Sequence, residues 1–288
     1  MDDKMMTSPI QALPGVSNTP TPSGGGAGEL MLTSTGVAKS YGAHRVLADV
    51  DLEVRRGEIV CIVGPSGAGK TTLLRCLAGL TKLTEGEVTL AGQKVTGPMA
   101  DMSLVFQDYR GSLLPWMHVI SNVAFPLEGN RVPKRERLER ARRRLATVGL
   151  IGSEDKYPWQ LSGGMQQRVA IARALAYDSP VMLMDEPFGS LDAQTRYDLE
   201  ELVLRLRREL GITIIVVTHD IDEAVFLGDR VVVFGGAPSK VVESVDVDLG
   251  DERDQIATKA LPRFAQLRSH ILGEIKQLAA VTGPIGTL

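Results

Sequence analysis

The segment GPSGAGKT, residues 64–71, combines glycines, a lysine and a threonine at a spacing that suits phosphate binding. It fits G-x-x-x-x-G-K-[ST], follows the strand-like run EIVCIV and precedes an apolar helical pattern. Backbone N–H groups of such a turn point at phosphates, and the positive end of the following helix adds attraction. We expect Lys70 to reach the β- and γ-phosphates of a nucleotide and the Thr71 hydroxyl to ligate Mg²⁺. The predicted nucleotide-binding residues here are Gly64, Pro65, Ser66, Gly67, Ala68, Gly69, Lys70, Thr71 and Thr72.

Two adjacent carboxylates, Asp185 and Glu186, end the apolar run VMLMDE. Successive strand residues point to opposite faces, but at a strand end both carboxylates can reach one crevice. A phosphate loop needs a neighbouring carboxylate for its metal, so we assign Asp185 to Mg²⁺. Glu186 suits polarising a water for attack on the γ-phosphate. The alternative is a pair of solvated carboxylates that caps the strand.

Polar residues also end two other apolar runs. His219 ends TIIVVTHD, where its imidazole is placed to touch the γ-phosphate, and Gln107 follows the strand-like start of LVFQDY. The amide oxygen of Gln107 is a suitable ligand for Mg²⁺ and for the attacking water. We assign catalysis to Glu186, His219 and Gln107, and the metal to Thr71, Gln107 and Asp185. From the residues alone, a structural role for His219 and an incidental one for Gln107 stay open.

A second glycine turn, Ser162-Gly163-Gly164, opens the helical segment LSGGMQQRVAIARAL. Its hydroxyl, N–H groups and positive helix end form a second anion site, although an ordinary N-cap by Ser162 explains the turn when it is taken alone. The first loop already encloses a triphosphate, so the second turn needs another nucleotide. Two subunits arranged head to tail use both turns, because each turn then closes over the γ-phosphate held by its partner. We therefore predict a homodimer with two ATP molecules at its interface.

The rest of the sequence predicts a fold that brings the ends of these strands together. Continuous apolar runs alternate with helical patterns, which predicts an α/β fold whose parallel sheet is covered on both faces and binds ligands at the strand carboxyl ends. The chain of 288 residues is long enough for a full core. Cys61 and Cys76 lie in apolar surroundings and predict core thiols in a reducing compartment, without a disulfide.

The net charge, the basic run and the lengths of the apolar runs argue against a nucleic-acid-binding protein and against a membrane-spanning one. The net charge of −3 gives no general attraction to nucleic acid. The basic run at residues 131–144 is interleaved with Glu136 and Glu139, which favours a solvated helix face over a nucleic-acid surface. No apolar run approaches the roughly 20 residues of a membrane helix, which predicts a soluble, cytoplasmic chain.

Composition and patterning divide the chain into parts. Residues 1–28 are rich in Pro, Gly, Ser and Thr and predict a disordered tail. Residues 29–245 predict the catalytic domain, with a helical subdomain inserted at about 108–165, and residues 246–288 predict a helical extension. The extension carries an apolar stripe on a helix that starts after Pro262. The stripe consists of Phe264, Leu267, Ile271, Ile275 and Leu278.

Five segments, in this order, resemble the motifs of the ATP-binding subunits of ABC transporters. GPSGAGKTTLLRCLAGL is similar to their Walker A region, VFQDY to the Q-loop and LSGGMQQRVAIARAL to the signature. VMLMDEPFGSLD is similar to Walker B with the D-loop, and VVTHD to the His switch. The resemblance spans residues 30–235 and implies a P-loop NTPase core with a mostly parallel sheet, an antiparallel β subdomain and an inserted helical subdomain. Met165 departs from the glutamine that many members carry, but it lies past the phosphate turn.

The resemblance also implies individual roles. Tyr41 in KSYGAHRVL would stack on adenine, although locally it is equally a surface aromatic. Asp192 of the D-loop would join the nucleotide site. The resemblance supports Glu186 as the catalytic carboxylate and Ser162 as a contact made in trans, with ATP and Mg²⁺ as cofactors.

In this family the helical insert docks on integral membrane permease subunits. The segment SLLPWMHVISNVAF would line a groove for a short cytoplasmic helix of the permease. Its candidate contacts, for which packing inside the subdomain is the alternative, are Trp116, Met117, Val119 and Phe125. Several segments are most similar to importers of the nitrate, sulfonate and taurine group, which work with a substrate-binding protein. The resemblance thus implies an ATPase at the cytoplasmic face of the inner membrane that powers import of a small anion or organic solute.

Two other classes of function stay open. A soluble ABC-type ATPase of DNA repair or translation typically carries a long coiled-coil insert or two fused ATPase halves, and neither fits in 288 residues. A P-loop kinase of a small metabolite accounts for residues 64–71 but leaves Ser162, Gln107 and His219 without a role.

Overall fold

The computed structural model describes residues 28–129 and 132–282, which form ten β-strands and eight α-helices. The strands are β1 (Leu30–Tyr41), β2 (His44–Arg55), β3 (Ile59–Val63), β4 (Glu85–Leu90), β5 (Gln93–Lys94), β6 (Met102–Val105), β7 (Val181–Asp185), β8 (Thr213–Val217), β9 (Arg230–Gly236) and β10 (Ser239–Asp246). The helices are α1 (Lys70–Leu77), α2 (Tyr109–Ser112), α3 (Val119–Ala124), α4 (Lys134–Thr147), α5 (Gly163–Leu175), α6 (Ala193–Leu210), α7 (Ile221–Leu227) and α8 (Pro262–Thr282). The predicted tail, residues 1–28, lies outside the described residues apart from Gly28.

The strands of the described residues join one sheet in the order β5-β4-β1-β2-β10-β9-β3-β8-β7-β6. The strands from β9 to β6 in this order run parallel to one another, whereas β1, β2, β4 and β5 form an antiparallel part. Strands β3, β7 and β8 are fully buried, because continuous apolar runs are stable only between two covering layers. The predicted α/β fold, with a mostly parallel core and an antiparallel part, is confirmed.

Side chains of alternate residues in the central strands pack into two hydrophobic layers, one on each face of the sheet. In β3, Ile59 and Cys61 face the layer that contains α5 to α8, and Val60 and Ile62 face the layer that contains α1. The two-residue period of a strand produces this division. Cys76 of α1 lies in the second layer, so both cysteines are buried and unpaired, as predicted.

The chain between β6 and β7 is mostly helical and contains α2 to α5. Leu145 of α4 is buried in the core, while three arginines of the helix, Arg137, Arg140 and Arg144, pair with acidic residues. Arg140 pairs with Glu136 one helical turn away at 2.6 Å, and Arg140 and Arg144 both pair with Asp178. In its described part the basic run is therefore an ion-paired, solvated face, as the interleaved charges predicted.

Helix α8 begins at Pro262 itself, one position before the predicted start after this proline, and its apolar stripe packs against α7 and β9. Phe264, Leu267 and Ile271 are buried, and Ile275 and Leu278 are partly buried in the same layer. The extension therefore docks on the catalytic core. None of the helices in the described part of the chain has the length and apolar character that a membrane span requires.

Candidate nucleotide and hydrolysis site

Four parallel strands end side by side at one edge of the sheet. Strands β3, β8, β7 and β6 are neighbours in that order. The chain leaves them at Gly64, Thr218, Glu186 and Phe106, respectively. Because carboxyl ends of parallel strands share an edge, the polar residues predicted from separate segments are brought together here.

The turn after β3 lies so close to β9 that only glycine fits at its start. A Cβ on Gly64 would lie 1.9 Å from the carbonyl oxygen of Phe234. Gly67 and Gly69 hold φ angles of 78° and 77°, a left-handed conformation that turns the chain into α1. The other predicted loop residues occupy this turn and the first turn of α1, and they are Pro65, Ser66, Ala68 and Thr72.

Helix α1 differs from the other helices of the site at its N-terminus. It begins after Gly69 without a side-chain cap. By contrast, α5, α6 and α7 begin with side-chain caps from Ser162, Asp192 and Asp220. The first N–H groups of a helix have no acceptor within it, so those of α1 are available to an anion such as a phosphate.

The side chain of Lys70 is buried and folds back to the start of this loop. Its ammonium donates to the carbonyl oxygens of Gly64 and Pro65, at 2.9 Å each. Burial lowers the pKa of Lys70, and the negative charges of Glu186 and Asp185 oppose that shift. The loop therefore carries a positive charge close to the two predicted carboxylates.

Thr71 and Asp185 meet across the sheet edge. Residues 181 and 183 of β7 face the layer that contains α1, and the strand period places Asp185 on the same side. The Thr71 hydroxyl donates to Asp185 Oδ1 at 3.1 Å. Burial raises the pKa of Asp185, and the Thr71 hydrogen bond partly offsets this. Two adjacent hard oxygen donors, one of them a buried carboxylate, suit Mg²⁺.

The three predicted catalytic side chains converge on one oxygen. Gln107 Nε2 donates to Glu186 Oε2 at 3.0 Å, and His219 Nδ1 lies 3.3 Å from the same atom. Glu186 has a φ of 42°, and its N–H donates to the Val217 carbonyl at 2.8 Å. This left-handed turn takes Glu186 out of the strand alternation, so that it faces the crevice beside Asp185.

Residues that the sequence reasoning missed hold the loop of His219. The Thr218 hydroxyl donates to Glu223 Oε2 at 2.6 Å and accepts from the Asp220 N–H at 3.0 Å. Arg196 of α6 pairs with Asp220 at 3.2 Å and with Glu223 at 3.5 Å. The acidic residues that begin α7 were a usable signal, because buried carboxylates need donors nearby.

The Ser162 turn is formed as a helix start. Ser162 is exposed, and its hydroxyl accepts from the Met165 N–H at 3.3 Å. A Cβ on Gly164 would lie 2.2 Å from Thr195 Cγ2, so glycine allows α5 to approach α6 closely. Among the described contacts, no hydrogen bond or ion pair joins Ser162, Gly163 or Gly164 to the phosphate loop of the same chain.

Tyr41 and Asp192 lie outside the converging cluster. Tyr41 ends β1 with 53% of its surface exposed, and the Lys39 ammonium lies 4.7 Å from its ring centre. Asp192 caps α6, accepting from the Thr195 N–H at 3.0 Å and hydroxyl at 2.7 Å. These hydrogen bonds hold the pKa of Asp192 below its usual value. Their nucleotide contacts stay predictions.

Comparisons with known proteins identify relatives that cover most of this chain. The family profile described as ABC transporter matches residues 47–189. Over 232 residues the chain is 49% identical to an uncharacterized ABC transporter ATP-binding protein of Methanocaldococcus jannaschii, covering 81% of this chain and 85% of that protein. It is 41% identical over 249 residues to the taurine import ATP-binding protein TauB of Escherichia coli (strain K12), covering 85% of this chain and 97% of that protein.

Solved structures of similar proteins share the fold. A dimeric ATP-binding cassette in a post-hydrolysis state, bound to ADP and Pi, is 35% identical, with a TM-score of 0.67 over 75% of this chain and 99% of that chain. The protein cbiO1 of Clostridium perfringens, part of the ABC transporter complex cbiONQ, is 27% identical, with a TM-score of 0.71 over 86% of this chain and 99% of that chain. The phosphate loop, the converging strand ends and these relatives all indicate the same family. The chain therefore belongs to the ABC transporter ATP-binding proteins, the ATPase subunits of ABC transporters.

Proposed function

We propose that this ATPase subunit powers the import of a small anion or organic solute, with taurine or another sulfonate as the preferred class and nitrate as a further member. The support is similarity at 41% identity to a taurine import subunit along 97% of that subunit's length. Substrate selection itself resides in other polypeptides, a permease and a substrate-binding protein. This subunit supplies the energy.

The observation that carries the hydrolytic role is the meeting of Gln107, Glu186 and His219 within 3.3 Å of one carboxylate oxygen. Glu186 would accept a proton from water as the water attacks the γ-phosphorus, while the bond from this phosphorus to the β–γ bridging oxygen breaks and ADP leaves. Gln107 orients Glu186 through its amide nitrogen. The amide oxygen of Gln107 is then free to contact the metal ion or the attacking water. His219 contacts the γ-phosphate.

Residues that already lie next to one another at this edge of the sheet would hold Mg²⁺ and ATP. Thr71 and Asp185 would ligate the cation, with Gln107 as a further ligand, and the cation would neutralise charge on the β- and γ-phosphates. The phosphate loop would bind the triphosphate through its N–H groups and Lys70. Tyr41, which is exposed at the end of β1, would stack on adenine.

The Ser162 turn would act on the nucleotide of a second copy. Ser162 is exposed at an N-terminus of α5 and makes no described contact with its own phosphate loop. A head-to-tail dimer would place Ser162, Gly163 and Gly164 of one subunit against the γ-phosphate held by the other. Asp192, which precedes α6, would lie at the same interface.

An exposed aromatic surface on the helical subdomain would dock the permease. Trp116 and Trp159 are 71% and 68% exposed. Tyr157 links Trp159 to the segment before α3, since its ring stacks on Trp159 at 5.6 Å and lies 4.4 Å from the ring of His118. Of the earlier candidates, Phe125 is also exposed and Met117 is half-buried, whereas Val119 is fully buried and packs inside. Such a contact would hold the ATPase at the cytoplasmic face of the inner membrane as a peripheral subunit.

Mixing two inactive variants tests the shared site. Lys70→Ala destroys the phosphate loop, and Ser162→Arg destroys the opposing turn. A heterodimer of the two keeps one site with both parts intact, so the mixture should regain ATPase activity that neither variant shows alone. Failure of the mixture to regain activity, with both variants folded, would refute the contact in trans.

The substrate class is tested in the source organism. Deletion of the encoding gene should abolish growth on taurine as sole sulfur source and leave growth on sulfate unchanged. A copy that carries Lys70→Ala should fail to restore growth, whereas the natural copy should succeed. Normal growth of the deletion strain on taurine and other sulfonates would overturn the assignment of substrate without affecting the assignment of ATPase.

A further inference from the structure

A cluster of two glutamates and a histidine joins α8 to the sheet, away from the nucleotide site. Glu243 lies on β10, and His270 and Glu274 lie on α8. His270 Nε2 is 2.9 Å from Glu243 Oε1 and 3.0 Å from Oε2. One ligand atom of each of the three residues lies within 4.8 Å of the others.

The position of Glu243 is unusual for a carboxylate. The half-buried face of β10 carries Val241, Glu243 and Val245, so a charged group occupies a place where the alternation otherwise puts valine. Burying part of a carboxylate is costly unless a cation or a donor faces it. The His270 imidazole is that partner, and the Glu274 carboxylate stands beside it.

The geometry of α8 presents the other two groups together. His270 and Glu274 are four residues apart, which places them on one face of the helix, one turn from each other. Each directly precedes a member of the apolar stripe, Ile271 or Ile275, that packs on the core. Docking of the helix therefore fixes both groups opposite Glu243.

We propose that Glu243, His270 and Glu274 bind a divalent transition-metal ion of the Zn²⁺ class, which fastens α8 to β10. Zn²⁺ binds imidazole nitrogen and carboxylate oxygen at roughly 2.0–2.2 Å, so small side-chain movements bring the three atoms onto one ion, with water in a fourth position. The imidazole favours Zn²⁺, Ni²⁺ or Co²⁺ over Mg²⁺, which prefers oxygen ligands in octahedral geometry. The site is therefore chemically distinct from that of the nucleotide's Mg²⁺.

The other end of α8 and the phosphate loop both approach Gly235 of β9. A Cβ on Gly235 would lie 3.1 Å from Leu278 Cδ1 and 3.4 Å from Pro65 Cδ, so Leu278 and Pro65 both pack close to this glycine. An ion that fastens α8 at His270 thus supports the packing beside the start of the loop. The predicted consequence is slower hydrogen exchange along α8 when the ion is bound.

The test uses the full chain without a polyhistidine tag, stripped of metal with a chelator and free of nucleotide. Titration with ZnCl₂ in a calorimeter should give one tight site per chain, and thermal unfolding at saturating Zn²⁺ should shift upward by roughly 5 °C. His270→Gln removes the imidazole, and Glu274→Gln removes the third ligand while keeping the contact between Glu243 and His270. Each should weaken Zn²⁺ binding at least about tenfold.

The exposed Glu252, nine residues after Glu243, provides the matched control, and Glu252→Gln should bind Zn²⁺ as the natural chain does. Circular dichroism establishes that every variant is folded. Equal Zn²⁺ affinity in the natural chain, His270→Gln and Glu274→Gln would overturn the proposal, as would the absence of tight binding in the natural chain. Mg²⁺ binding as tightly as Zn²⁺ at this site would overturn the assignment of the ion's class.

Discussion

Gln107 and Glu186 share a 3.0 Å hydrogen bond although 79 positions separate them in the chain. The bond depends on the register of two parallel strands, in which Val105 of β6 pairs with Met184 of β7. Gln107 and Glu186 each lie two positions after the paired residue of their strand, so equal extension beyond Val105 and Met184 sets the side chains opposite each other. The site geometry is thus a direct product of strand pairing.

Glu186→Gln should preserve ATP binding and lower turnover by roughly 10²–10⁴-fold, because an amide cannot accept the proton of the attacking water. ATP should then hold the dimer closed. Phosphate release and size-exclusion chromatography with ATP measure the two effects. Glu209→Gln, on the exposed face of α6, should behave as the natural chain. Natural turnover in Glu186→Gln would remove Glu186 from its proposed role.

Asp185→Asn should raise the Mg²⁺ concentration that half-saturates ATPase activity by at least about tenfold, because the variant loses the ionic ligand. The Thr71 hydrogen bond can persist, since an amide oxygen also accepts it. Removing Mg²⁺ with EDTA should stop turnover reversibly. Asp246→Asn, at the exposed end of β10, is the control. An unchanged Mg²⁺ dependence in Asp185→Asn would contradict the assignment.

Two adjacent residues of α8 should differ sharply in their effect on stability. Ile271 is fully buried, and its replacement by alanine should lower the free energy of unfolding by about 2–5 kcal/mol. Leu272 is 38% exposed, and Leu272→Ala should cost less than about 1 kcal/mol. Urea denaturation compares the two. Equal, small losses would mean that α8 does not dock in solution.

Glu223 should make stability depend on pH in a specific window. Burial raises the pKa of Glu223 to about 7, with the Thr218 hydrogen bond opposing the shift. The unfolded carboxyl ionises near about 4.3. Between these values only the folded state holds the proton, so the stability from this group falls as pH rises from about 4.3 to about 7 and is constant above.

Glu223→Gln removes that titration. The difference in unfolding free energy between the natural chain and the variant should change by up to about 3 kcal/mol from pH 4 to pH 8, in favour of the variant at high pH. Urea denaturation across this range measures it, with Glu209→Gln as the exposed control. Parallel pH profiles for the natural chain and Glu223→Gln would contradict the assignment.

Local patterns predicted much of the fold. The strand, turn and helix around GPSGAGKT follow from glycines and β-branched residues within a short segment. The stripe from Phe264 to Leu278 predicted one helix in the same way. Its docking on α7 and β9 did not follow from the sequence, because a stripe specifies an apolar face and not the partner of that face.

The sequence by itself determined which residue types stand at the strand ends, since each apolar run and the polar residue after it are contiguous. Tertiary structure alone decided that Gln107, Glu186 and His219 meet at one oxygen, that Asp192 is occupied in capping α6, and that Thr218 and Glu223 support His219. The physical reason is that strand order and register arise from packing between distant segments, and no local pattern specifies them.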